Sequence, residues 1–265
     1  MKTALSKQDL YLRRQKKNKR VIAMMRVIIF VSFFLLWELS ARLGCIDDFI
    51  FSSPSRVVHT LGEMIADRSF FGHLSITLLE TVLSFLLVIG CTLAVTILLW
   101  LSEGISKTLE PYLVILNSLP KSALAPLLIV WLGANYRTII VTGMSVAIFG
   151  SILSLYTNFM EVEQDKLKLI RTLGGNRKDI LLKVMIPSNI PNILSLMKVD
   201  IGLCLVGVII GEFIASRQGL GYLIIYGSQV FKLDWVLMSI LVLCVIAMAL
   251  YGVINSIQKL YLKRI

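Results

Sequence analysis

The chain has 265 residues, 57% hydrophobic and 16% charged, whereas a soluble domain is nearer half apolar and a quarter charged. That excess excludes an ordinary water-soluble fold and makes lipid the solvent for most of the length. A formal net charge of +11 in a soluble protein would suggest nucleic acid, but here Lys and Arg collect in the tails and connecting loops, so no nucleic-acid partner is expected.

Residues 1–20 carry eight Lys/Arg and read as a basic tail; residues 21–265 read as one membrane domain. A spanning helix needs about 20 mostly apolar residues. Runs of that kind lie near 22–42, 74–101, 110–132, 137–158, 187–215 and 234–258, predicting an all-α protein with six spans. The first run follows a positive segment as a signal peptide would. It is longer than a usual signal core and has no small-x-small site after it, so an uncleaved first span is expected.

Between the first two runs, Phe51-Ser52-Ser53-Pro54-Ser55 offers Ser53 or Ser55 as a helix cap. Val57, Val58, Leu61, Met64 and Ile65 then recur at helical spacing, predicting a short amphipathic helix. The third run is interrupted by Pro120 and Pro126, and the fifth begins at Pro187 and contains Pro191. With both ends on one side of the membrane, that side collects eighteen Lys/Arg against six on the other. The positive-inside rule makes the richer side, and both termini, cytoplasmic.

Residues 159–187 are too polar to span and too patterned for a plain loop. Leu167, Ile170 and Leu173 give one apolar face. Gly174-Gly175 ends that helix, because glycine accepts the left-handed backbone a C-cap needs. Asn176, with Asp179 three residues on, caps a second helix. Ile180, Leu181 and Val184 form its face, and Pro187 stops the pattern. The expected product is a hairpin of two short helices. It suits docking to a soluble partner, or resting on anionic lipid through Lys166, Lys168, Arg171, Arg177, Lys178 and Lys183.

Several charges fall inside apolar runs, at Glu38, Glu80, Lys121, Lys198, Asp200 and Glu212. Mid-bilayer charge is costly and usually faces protein or water. Lys121 with Ser122, and Glu212, are the candidates for a translocation path, against a packing role. Cys45, Cys91, Cys204 and Cys244 are scattered, without metal or disulfide spacing. His59 and His73 fall in the predicted outer connector. No Gly-x-x-x-x-Gly-Lys-Ser/Thr sequence is present, so a phosphate-cradling P-loop is excluded. No His-Glu-x-x-His motif or Ser/His/Asp set is evident, and no enzyme activity, cofactor or metal is expected in the chain.

The hairpin resembles the signature loop of binding-protein-dependent ABC importer permeases, which reads Glu-Ala-Ala, three residues, Gly, nine residues, Ile-x-Leu-Pro. The triplet falls on Lys168-Leu169-Ile170, followed by Arg171. Gly174 precedes Gly175, and Val184-Met185-Ile186-Pro187 closes the pattern with both gaps kept. Glu-Ala-Ala itself is replaced, and Lys168 reverses the local charge. Trp37-Glu38 with Phe51–Ser55 is similar to a stretch in the nitrate/sulfonate/taurine group of these permeases. So are Pro120–Leu127 with Trp131-Leu132-Gly133, and Gly211-Glu212 with Gly219-Leu220-Gly221. Glu80 departs from the group, which usually carries Arg there.

The resemblance implies a type I importer permease whose hairpin seats on an ABC ATPase subunit that hydrolyses ATP. It also implies an extracytoplasmic solute-binding protein and a pair of permease subunits, expected as a homodimer in the cell membrane. The implied solute is a sulfonate, taurine or nitrate, or a thiamine-precursor pyrimidine. From the residues alone, a secondary transporter or channel stays open, since it too needs six spans and buried charge.

Overall fold

The computed structural model describes residues 7–263. Residues 1–6 of the basic tail and residues 264–265 lie outside the described region. Every regular element described is helical: α1 (Lys7–Arg42), α2 (Asp48–Phe51), α3 (Pro54–Ala66), α4 (Ser69–Leu101), α5 (Glu103–Ser118), α6 (Lys121–Leu132), α7 (Tyr136–Met160), α8 (Gln164–Thr172), α9 (Arg177–Ile180), α10 (Ile186–Ala215), α11 (Leu220–Gln229) and α12 (Leu233–Leu262). Two compact units divide between Glu63 and Met64.

In the first unit, α1 carries a long apolar stretch with none of its most hydrophobic window buried. Ile29, Phe30 and Phe33 are all more than half exposed, as side chains that meet lipid are. The stretches 37–38 and 51–55, singled out separately in the sequence, touch one another. Trp37 Nε1 donates to the Ser52 carbonyl at 3.2 Å. Glu38 accepts from Ser55 N and Oγ at 3.1 and 2.7 Å and pairs with Arg42 at 2.6 Å. The expected amphipathic helix is α3, and its cap is Ser53, whose Oγ accepts from Arg56 N.

The second unit is organised around α7, which lies against both α4 and α10. The contact is close because glycines line it. A Cβ on Gly207 of α10 would stand 2.7 Å from Gly143 Cα on α7. One on Gly143 would stand 2.6 Å from Ser84 Oγ on α4. Without a hydrophobic drive between helices in lipid, small residues that let backbones approach supply the packing energy. Below these glycines Phe85, Val88, Ala147, Ile201 and Cys204 form an apolar core. Buried hydroxyls turn back on their own helices: Thr81 to Thr77 O, Ser84 to Glu80 O and Thr142 to Thr138 O, each at 2.7 Å. Among the cysteines, only Cys204 is fully buried, and all four are free.

Among the described residues, five helices are long and apolar enough to cross a membrane, and the α5–α6 pair, bent by 99°, makes a sixth if it is one span. The span expected over 110–132, with its proline interruption, is thus a broken one. Leu119, preceding proline, takes extended backbone at φ −64°, ψ 143°, as the proline ring demands of its neighbour. Pro120, extended at ψ 103°, has no N–H to continue the ladder. Pro126, by contrast, stays inside α6.

A correction concerns Pro187, which does not end the hairpin's second helix. α9 runs through a wide turn over Leu181–Met185, with Ile186 N–H reaching back five residues to Leu181 O. It continues directly into α10, and the whole of Arg177–Ala215 forms one span-length helix. A π-turn of this kind makes room where a proline ring would strike the carbonyl four residues back. His73 is also relocated, from a connector to the first turns of α4.

Candidate functional site

Two regions at opposite ends of α4 and α10 concentrate the polar chemistry. The first is the hairpin. α8 ends in a Schellman motif: Gly175 N–H bonds Ile170 O at 2.9 Å and Gly174 N–H bonds Arg171 O at 3.0 Å. Gly174 has φ +81°, the left-handed region that costs a side-chain-bearing residue about 1–2 kcal/mol. A Cβ on Gly175 would meet Ile170 Cγ2 at 2.5 Å and Ile170 O at 2.9 Å. The two glycines are thus required for different reasons, one by torsion and one by space.

Asn176 then closes a full capping box with Asp179, both bonds measuring 3.0 Å. Asp179 also pairs with Lys183 at 2.7 Å. Inward, Leu167, Ile180, Val184 and Met185 bury against Leu155 and Phe159 at the end of α7. Arg177 Nη1 donates to Leu101 O, the last carbonyl of α4, at 3.1 Å. The corner is therefore rigid within itself, continuous with α10 and tied to α4.

Lys168 is exposed and paired with Asp165 at 3.1 Å. Leu169 is exposed, while Arg171 and Arg177 share a cavity of about 380 Å³ with the end of α4. Leu173, expected on one apolar face with Leu167 and Ile170, is 75% exposed. The Schellman turn begins at that residue, so its side chain leaves the helical register and points out. Leu169, Leu173 and Leu182 are each more than half exposed, apolar side chains on a charged corner. Local periodicity alone did not find the exposure of Leu173.

The second region is the opposite end of the bundle. Glu212, near the C-terminus of α10, is fully buried. Thr77 Oγ1 on α4 donates to Glu212 Oε1 at 2.7 Å, and Gly221 N–H donates to Oε2 at 2.6 Å. The Thr77 hydroxyl oxygen accepts from Leu220 N–H at 2.8 Å, and His73 Nδ1 accepts from Gly219 N–H at 3.0 Å. Three side-chain acceptor atoms thus collect the N–H groups of Gly219, Leu220 and Gly221, which a helix N-terminus leaves unpaired.

Gly219 has φ +109° and lies against the Glu212 carboxyl, and a Cβ on Gly221 would stand 2.8 Å from Oε2. This explains why an acid on α10 and a Gly-Leu-Gly corner occur together. Glu80 lines a cleft of about 610 Å³ between the ends of α4, α7 and α10. Its Oε2 is buried and has no hydrogen-bond partner.

The sequence candidates are not gathered at one point. Lys121 and Ser122 sit at the break between α5 and α6, where the Lys121 ammonium donates to Asn117 O at the end of α5, and Ser122 is exposed. Glu212 is enclosed at the α11 corner. Among the other in-span charges, Asp200 accepts from Ser151 Oγ and Lys198 lies 5.8 Å from the Tyr251 ring centre. Sequence reasoning missed Thr77 and His73, since nothing local marks a hydroxyl or imidazole as partner to a backbone over 140 residues away. Among the described residues no group of His, Cys, Asp and Glu could hold a metal.

A lipid-embedded helical bundle with a structured polar corner at one end and a polar cleft at the other is the architecture of a membrane transport subunit. Its fold matches a bacterial ABC transporter involved in the import of the acidic polysaccharide alginate. The TM-score is 0.65 at 14% identity, over 93% of this chain and 98% of that one. Residues 86–265 match the family described as binding-protein-dependent transport system inner membrane component, and the chain belongs to it. A probable ABC transporter permease protein of Haemophilus influenzae is 31% identical over 220 residues, 82% of this chain and 88% of the relative. A putative aliphatic sulfonates transport permease of Bacillus subtilis, SsuC, is 26% identical over 251 residues, 95% of this chain and 91% of its own. The chain is an ABC importer permease for a small solute.

Proposed function

We propose that this permease forms the translocation path of an importer driven by ATP hydrolysis on a separate ABC ATPase subunit, with solute delivered by an extracytoplasmic binding protein. The hairpin carries the reading. A partner seated on Leu169, Leu173 and Leu182 would push a corner that cannot flex at Gly174-Gly175, and the push would pass through the π-turn at Pro187 into α10 and through Arg177 into α4. Lys168, Leu169, Ile170 and Arg171 form the docking stretch. The eighteen-to-six charge bias supports a cytoplasmic hairpin and cytoplasmic termini. Two copies of the chain enclose the path, with Lys121 and Ser122 at the α5–α6 break facing it. The relative's stated aliphatic sulfonates favour an organic sulfonate as solute.

The test is reconstitution of the chain with its ATPase and binding protein in liposomes, with ion gradients clamped. Uptake should cease when ATP is withdrawn. A disulfide or short cross-link from Leu173→Cys to the ATPase should form. Solute movement by this chain alone, driven by an ion gradient, would refute the proposal.

A further inference from the structure

A hairpin resting on anionic lipid would draw on all its cations alike, but the structure sorts them into two kinds. Three lysines are neutralised within one turn of helix: Lys166 by Glu163 at 3.2 Å, Lys168 by Asp165 at 3.1 Å and Lys183 by Asp179 at 2.7 Å. Arg171, Arg177 and Lys178 have no acidic partner among the described residues. Of these, Arg171 and Arg177 line the same cavity of about 380 Å³ between the hairpin and the end of α4. The acid in that wall is Glu103, and Lys107 already pairs with it at 2.7 Å. The cavity thus carries two arginine charges that its own walls do not balance.

Arg177 is fixed there by its bond to Leu101 O at 3.1 Å, which uses one guanidinium N–H and leaves the others. The cavity also has an apolar side, with Trp100, Leu101 and Met160 among its lining residues. α4 runs apolar through Ile97-Leu98-Leu99-Trp100-Leu101 and turns polar at Ser102-Glu103. That switch sets the cavity at the level where hydrocarbon gives way to headgroups, the level at which Trp is enriched. Guanidinium forks match phosphate oxygens bidentately. A free phosphate would leave the apolar wall unused, whereas a phospholipid would lay its glycerol and first acyl carbons against it.

We infer that this cavity binds one anionic phospholipid, its phosphate held by the Arg171 and Arg177 guanidiniums and its glycerol end against Trp100. Basic pockets at the ends of membrane helices take acidic headgroups in this way. The inner leaflet as its source follows from the cytoplasmic hairpin of the importer reading; the pocket itself does not depend on that reading. A headgroup here would bridge α8, α9 and the end of α4, the joint through which the hairpin is tied to the span.

The experiment titrates the delipidated full chain in detergent with radiolabelled phosphatidylglycerol. The ATPase is left out because Arg171 also lies in the docking stretch, so lost docking cannot imitate lost lipid. Phosphatidylcholine, with the phosphate but no net charge, and glycerol 1-phosphate, with the phosphate but no acyl chains, serve as competitors. Phosphatidylglycerol should bind at least about tenfold more tightly than either, one charge-assisted hydrogen bond being worth roughly that factor. Arg171→Gln should weaken it about tenfold at an unchanged melting temperature. Lys178→Gln removes the same charge one residue beyond Arg177 but outside the cavity lining, and should change binding by less than about threefold.

Equal weakening by Arg171→Gln and Lys178→Gln overturns the proposal, since diffuse attraction to a positive corner counts both charges alike. So does equal binding of phosphatidylcholine. Displacement of the lipid by glycerol 1-phosphate at the same molarity would give the cavity to a soluble phosphate and reject the lipid. Absence of lipid preference with ATP-dependent uptake intact rejects the pocket and leaves the importer reading in place. Selective lipid binding by a chain whose uptake ignores ATP does the reverse.

Discussion

The two ends of the bundle reach rigidity by opposite routes. The hairpin is closed by bonds between residues three to five apart, as in Gly175 to Ile170 and Asn176 to Asp179. The cleft end is closed by bonds spanning 135 to 146 residues, as in Thr77 to Glu212 and Gly219 to His73. Local closure costs little chain entropy and can form early, whereas the distant bonds wait on the docking of α4, α10 and α11. The corner proposed to receive force from an ATPase is thus largely self-supporting, while the opposite end depends on the whole bundle. Damage should accordingly be global at one end and confined at the other.

The strongest test of that contrast is Gly221→Val. Its side chain would enter the Glu212 carboxyl, and overpacking a site with no slack costs about 1–3 kcal/mol, more where a buried acid is displaced. The expected result is little assembled protein in the membrane and a lowered melting temperature in detergent. Normal yield would mean that the α11 corner is far softer than its geometry. Next in size is Glu212→Ala, which leaves the Gly221 N–H and the Thr77 hydroxyl without an acceptor. About 2–4 kcal/mol of stability should be lost, with Glu212→Gln losing less. If thermal melts of both variants match the parent while uptake fails, Glu212 serves the path rather than the α11 corner.

Gly174→Val acts at the other end. Its left-handed torsion costs about 1–2 kcal/mol for an ordinary residue and more for a β-branched one. Co-purification with the ATPase should weaken about tenfold while the melting temperature of the spans barely moves. A large loss of span stability would remove the distinction between the two ends. Lys121→Ala should cut uptake more than complex assembly, because the side chain caps only the last turn of α5; equal losses would assign it to packing. The smallest effect is expected from Lys168→Glu. An exposed ion pair is worth at most about 1 kcal/mol, so stability should stay within error and only the salt dependence of ATPase association should change.

Legibility in the sequence followed the same division. Helix ends at Gly174-Gly175 and Asn176 could be read because every group involved lies within one turn. Five spans could be read because apolar length alone specifies them. The bend at Leu119-Pro120 was visible as an interruption, but not its 99° angle. Proline forbids the straight helix, and the surroundings select the new direction. Pro187 was misread as a stop, since a π-turn needs only a bond to residue i−5 to carry a helix through. Leu173 was grouped with Leu167 and Ile170 because periodicity continues on paper past the point where a Schellman turn ends it.

From its sequence alone this chain is committed to lipid, to helices, to a glycine-bent corner and, through the resemblance those motifs carry, to a family of importers. Each of those follows from composition or from groups a few residues apart. Tertiary structure decided that Leu173 is exposed, that Gly143 and Gly207 bring α7 against α10, and that Glu212 caps α11 while Glu80 lines a cleft. Those outcomes depend on partners distant in sequence, and no residue's type states which backbone it will meet once the helices have packed.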